Sequence, residues 1–190
     1  MMNNQWVSKT GRFTTLAFSF GLIAGCSITP PKSMMDIQAG ETFSLQQTIT
    51  IPAEKARTYI QDGKVTGSQF DRYQPHCRIE IAQLQTLPSE IKADHFRITR
   101  VMIDEEEVAW FKPIQVASLG MMLAFGDNQR PPTMDIVHLY LSSAKQPNVF
   151  RLTCAGALSD GNTPFDAPER YRPERQQINQ ILGEIGSIHK

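Results

Sequence analysis

The 190 residues contain only three cysteines, no Cys-x-x-Cys pair and no net formal charge. No apolar run approaches the ~20 residues that a membrane-spanning helix needs. Each absence narrows the field. Without paired Cys-x-x-Cys elements there is no zinc-ribbon framework or thioredoxin-type redox motif. Balanced charge offers no broad basic surface for nucleic acid or anionic lipid. The chain also lacks a G-x-S-x-G elbow, a P-loop, a G-x-G-x-x-G turn and an H-E-x-x-H helix, so no standard nucleophile, phosphate cradle or zinc-protease element is written locally. There is no internal repeat.

What is present begins at the N-terminus. Lys9 and Arg12 precede an uncharged stretch, Phe13 to Ile23 (FTTLAFSFGLI), and small residues follow it. A basic region, a short apolar region and small residues are the three parts of an export signal. The tetrapeptide Ile23-Ala24-Gly25-Cys26 resembles the bacterial lipobox. That resemblance implies cleavage before Cys26, a diacylglycerol thioether on its sulfur and acylation of the new amino group. Residues 1–25 are then a lipoprotein signal peptide, and the membrane is contacted through lipid. One acyl chain binds a bilayer only marginally, at ~0.8 kcal/mol per buried methylene, and two or three anchor it firmly. Ser27, not Asp, follows the cysteine. By similarity to known sorting signals, this implies an outer-membrane anchor facing the periplasm.

Residues 26–40 read as the lipidated start and a flexible tether, with Pro30-Pro31 and little periodicity. Residues 41–190 read as one domain. Export leaves Cys77 and Cys154 in an oxidising compartment, where paired thiols usually form a disulfide. Cys77, Ile79 and Ile81 alternate with Arg78 and Glu80, and Phe150, Leu152 and Cys154 alternate with Arg151 and Thr153. This period of two places both sulfurs on apolar strand faces. Closing so long a loop removes roughly 4–5 kcal/mol of unfolded-chain entropy.

Strand patterning continues elsewhere. Phe43 to Ile51 alternates, and Asp62-Gly63 between β-prone runs predicts a type I′ hairpin. A phase change near Thr99-Arg100 predicts a β-bulge. Asp104 to Glu107 reads as an acidic turn, and Asp135 to Leu141 with Asn148 to Ala155 as a hairpin. Ile178, Ile181, Leu182 and Ile185 fall on one face of a helix over 174–185. The expected class is therefore mainly β: an antiparallel sandwich or half-open barrel with a C-terminal amphipathic helix. ARTYIQDG (56–63) and the later paired cysteine also resemble small proteobacterial envelope lipoproteins of unassigned function.

Few residues point to chemistry. Ser89-x-x-Lys92 and Ser142-x-x-Lys145 match a Ser-Lys pattern without its supporting elements. The acidic run 104–107 lacks the spacing of a calcium loop. His138 and Tyr140 share the second face of their strand, where they either line a pocket or pack under the helix. His76 and His95 read as strand-boundary residues, and His189 as a mobile terminal one. Arg170, Tyr171, Arg172 and Arg175 form the most basic cluster, suited to a phosphate or a partner carboxylate, with four acids close by in sequence. Gly120 to Phe125 reads as a buried segment or a docking surface. No metal or cofactor is implied. The expectation is a non-enzymatic interaction or assembly-accessory module with an envelope protein partner and no nucleic acid. The alternative is an envelope hydrolase or small-ligand carrier.

Overall fold

The computed structural model describes residues 30–108, 132–159 and 167–190. Cys26 and the Gly120–Phe125 segment lie outside these residues. Ten strands and one α-helix follow in order: β1 (Thr42–Leu45), β2 (Ile49–Ile51), β3 (Arg57–Gln61), β4 (Lys64–Val65), β5 (His76–Ile81), β6 (Ser89–Ile91), β7 (Asp94–Glu107), β8 (Thr133–Ser142), β9 (Val149–Ala155), α1 (Arg175–Leu182) and β10 (Gly186–His189). Eight strands form an antiparallel half-barrel in the order β10-β1-β7-β8-β9-β5-β3-β4, and β2 pairs β6 in a small second sheet.

Alternation gives the large sheet two distinct faces. Phe43, Phe96, Ile98, Val137, Leu139, Leu152, Ile79 and Ile60 point to one side and are fully buried. Helix α1 fills that side. Its Ile178, Ile181 and Leu182 are all buried, and the helix touches β10 near one edge of the sheet and β3 and β5 near the other. The predicted helical face is thus the one used. The helix starts on a capping box, in which Glu174 and Gln177 exchange side-chain-to-backbone hydrogen bonds. It ends at Gly183 (φ +55°), short of residue 185, where the apolar spacing runs out. A Cβ at Gly183 would lie 2.8 Å from Gly63 Cα, so only glycine lets the helix end meet the β3–β4 turn. Asp62 and Gly63 both have positive φ there, as the hairpin reading requires.

Cys77 and Cys154 form a disulfide between β5 and β9, directly opposite in register. The predicted bulge occurs between Ile98 and Arg100 of β7. Among the described residues no helix is long and apolar enough to cross a membrane.

Four expectations need correction. The tether does not run to Gly40: Met35 and Ile37 are buried in the main core, and Gly40 N–H donates to the Ile98 carbonyl. Two apolar residues within a Pro-rich stretch gave too short a pattern to read as core. The acidic run 104–107 is not a turn but the end of β7, held in register with Thr133–Ile136 of β8. Pairing with an apolar partner strand outweighs its weak intrinsic β preference. His189 is not mobile, because it lies in β10 opposite Thr42. Finally, His138 does not pack under the helix. Val137 and Leu139 take that face, which leaves His138 on the opposite side of β8.

Candidate functional site

The second face of the sheet is polar, and across β5, the Thr153 end of β9 and the middle of β8 it is closed to solvent. Glu80 on β5 accepts from Arg78 Nε (2.8 Å) and Arg151 Nε (2.7 Å), and Arg78 Nη1 donates to Glu106 at 2.8 Å. β5 and β7 are separated by β9 and β8 in the sheet. The Arg78–Glu106 bond therefore requires the end of the β7–β8 hairpin to curl over this face. Burial acts to lower the Arg78 pKa, but the carboxylates of Glu106 and Glu80 outweigh it and raise it. Burial acts to raise that of Glu80, but Arg151 and Arg78 outweigh it and lower it. Arg78 and Glu80 are thus held as ions.

His138 sits in the same layer. Its Nδ1 is 2.8 Å from Thr153 Oγ1, and its Nε2 is 3.8 Å from Asp104. Burial, assisted by Arg151 and Arg78, lowers its pKa, so the ring is neutral at pH 7. Tyr140 is stacked beneath Arg100, with the guanidinium carbon 3.8 Å from the ring centroid, and Phe150 meets it edge-on. Both residues are spent on cross-strand packing.

The arginine cluster is also engaged internally. Arg175 donates to Glu41 at 2.7 Å and to the Asp36 carbonyl at 2.8 Å. Arg172 donates to the Met34 carbonyl at 2.9 Å, and its backbone N–H to Asp135. These bonds fasten the 34–41 segment to the start of α1. Arg172 Nε and Arg175 Nη1 lack partners but are sealed from solvent, so they offer nothing to an anion. Arg170 ends a short 3₁₀ turn, Pro168–Arg170, with Tyr171 as its C-cap. The acids that neutralise Arg175 are Asp36 and Glu41, far away in sequence. The Ser142-x-x-Lys145 pair does not act as a dyad, because the Lys145 ammonium turns to Asp94 at 3.8 Å.

The feature that sequence reasoning missed is a cleft of about 440 Å³ on this polar face, between the 66–75 loop and the curled hairpin end. Its wall is aromatic. Tyr59 and Phe70 stack with centroids 3.9 Å apart, and His76 tilts against Phe70 at 4.6 Å. Its floor includes Met134, Ile136 and Ala155, which form a small apolar cluster of their own. Its rim carries Arg72, Glu106 and Glu107. The buried Gln61 side chain holds the loop in place: it accepts from Asp71 N–H and donates to the carbonyls of Asp71 and Pro75. His76 Nδ1 lies 2.9 Å from the Gln74 carbonyl, which fixes the proton on that nitrogen and leaves Nε2 as an acceptor. Burial lowers the His76 pKa despite that bond. The only hint in the sequence was that Tyr59, His76 and Arg78 occupy the non-core positions of their strands.

The cleft can hold an apolar or aromatic group against Tyr59 and Phe70 while polar rim groups orient it. Among the described residues no three His, Cys, Asp or Glu side chains gather as a metal site. Fold and site together define a class: a disulfide-stapled antiparallel half-barrel with an open cleft on its polar face. Comparison with protein families, with curated proteins and with solved structures finds no match to this chain.

Proposed function

We propose that this protein is a lipid-anchored lipoprotein of the bacterial outer membrane, facing the periplasm, whose β domain is a non-enzymatic module that binds another envelope protein. The placement draws on the basic, apolar and Ile23-Ala24-Gly25-Cys26 segments. The fully buried Cys77–Cys154 bond supports it, since such bonds persist in oxidising compartments. The observation that carries the binding role is the cleft itself. Its aromatic wall and apolar floor suit a side chain from a partner, and its buried Arg78 is already committed to two carboxylates. Aromatic and arginine residues are the types that anchor protein interfaces.

The test has two arms. Cys26→Ser should abolish sedimentation with membranes and incorporation of labelled palmitate; unchanged behaviour defeats the anchor. A photocrosslinking residue at Ser68, on the cleft rim, should give one discrete adduct in living cells. The same residue at Leu84, on a loop outside the cleft, should not. No adduct from position 68, or the same adduct from both, defeats the binding role.

One observation favours a second reading, a small-ligand carrier or hydrolase: the cleft volume lies within the range of small-molecule sites. Copurification of a stoichiometric small molecule, lost in Phe70→Ala, would decide for it.

A further inference from the structure

β1 lies between β7 and β10 and carries Ser44 on the polar face of the sheet. His95 stands directly opposite Ser44 on β7, and His189 stands opposite Thr42 on β10. Both rings turn toward the same hydroxyl. Ser44 Oγ is 2.7 Å from His95 Nδ1 and 2.6 Å from His189 Nε2. Ser44 is completely covered, whereas both histidines are exposed. This arrangement does not suit a nucleophile, because the oxygen that would attack lies beneath the two rings.

A hydroxyl has one proton to give. With both rings neutral, one imidazole accepts it and the other presents its own N–H. Among the described residues neither inward nitrogen is tied to a carboxylate or to a backbone carbonyl, so the tautomers are free to exchange. On His189 the outward Nδ1 lies 3.4 Å from Ser187 Oγ, which can accept the displaced proton. On His95 the outward Nε2 meets no protein partner among the described residues, and solvent can take its N–H. Both rings can therefore turn a lone pair inward, toward the Ser44 oxygen that they share. Imidazole nitrogen is a preferred ligand of zinc, copper and nickel.

We propose that His95 Nδ1 and His189 Nε2 form a binding site for a divalent first-row transition ion of the zinc type, with Ser44 Oγ at a third corner and water completing the shell. Zinc–nitrogen bonds are ~2.0–2.1 Å long, so an ion is seated by a small outward rotation of two exposed side chains. Strand pairing on both sides of β1 holds the frame. Ser187 acts as the outer partner that orients a ligating histidine. The bound ion would link β10 to β7 across β1, and a ligand that binds only the folded chain stabilises it.

The probe is Zn²⁺ alone, added to the untagged chain. Calorimetry should give one equivalent, the melting temperature should rise, and ¹⁵N spectra should move the Nδ1 signal of His95 and the Nε2 signal of His189. His95→Gln and His189→Gln should each weaken binding by more than the roughly 10–100-fold that loss of an outer partner costs. Both positions are exposed, and the metal-free melting temperature of each variant reports its folding. Binding that persists at full affinity in either folded variant overturns the site. So does wild-type chain with no Zn²⁺ uptake, or with shifts at His76 and His138 instead.

Discussion

Cys77 and Cys154 face each other directly across β5 and β9, with Cα atoms 4.0 Å apart and neither residue exposed to solvent. The bond joins positions 77 residues apart in sequence, so it constrains much of the unfolded chain. Replacing both by alanine should cost about 2–5 kcal/mol in urea denaturation. In native buffer neither sulfur should react with a thiol reagent after addition of a mild reductant, because reagent cannot reach the bond. Rapid reduction without denaturant would show that the β5–β9 region opens.

Ile37 tests whether the N-terminal segment belongs to the domain. The side chain is fully buried in the main core, although it precedes the first strand. Ile37→Ala should cost about 2–5 kcal/mol, as a cavity in a packed interior does. Arg175→Ala, which releases Glu41 and the Asp36 carbonyl, should cost a further one to three kcal/mol, on the order of a lost charged hydrogen bond. A flexible tether would leave the urea midpoint unchanged in Ile37→Ala.

The ion layer on the polar face gives a third prediction. Glu80 bridges Arg78 and Arg151, and its carboxylate side chain is 10% exposed. Glu80→Gln keeps the shape but leaves Arg151 without that carboxylate and Arg78 with Glu106 alone. Removing one partner from a buried pair costs about 3–5 kcal/mol, and the partial exposure of Arg151 places the expected loss near ~3 kcal/mol. Glu106→Gln should cost less, since that side chain is 48% exposed. Comparing the two urea midpoints checks the order.

Periodicity made much of this fold legible. The alternation around Cys77 and Cys154 put both sulfurs on the core side, and Ile178, Ile181, Leu182 and Ile185 defined the helical face that is buried. Local chemistry located the Asp62-Gly63 turn and the bulge near Thr99. What was not legible depends on pairing between distant segments. β10 contributes one core side chain at a strand position, Ile188, too little for a pattern. Residues 104–107 are extended only because β8 lies beside them. The cleft joins Tyr59 of β3, Phe70 of the loop after β4, His76 and Arg78 of β5 and Glu106 of β7, and the His95–Ser44–His189 contact exists only because β1 lies between β7 and β10. Strand order decides both, and nothing local in the sequence encodes strand order.

Acid stability follows from the same polar face. Burial holds His76 and His138 below the ordinary 6.5 of a histidine. Both are therefore neutral in the folded chain at pH values where the unfolded chain already binds protons. Their contribution is fully present above pH 6.5 and is lost as pH falls below it toward their folded pKa values. Glu80 acts in the same direction at lower pH. With its pKa below the ordinary 4.5 through Arg151 and Arg78, which outweigh burial, its stabilisation is present above that value and lost beneath it. The urea midpoint should thus fall in two stages, one below pH 6.5 and one below pH 4.5. His138→Gln removes one titrating group and should flatten the first stage while leaving the second intact. Glu80→Gln should leave the first stage and shrink the second, of which the part from Asp94, held low chiefly by its hydrogen bond from Ser143, remains. A midpoint that stays level from pH 7 to pH 5 in the wild-type chain would mean that the two histidines are as free to protonate in the folded protein as in the unfolded one.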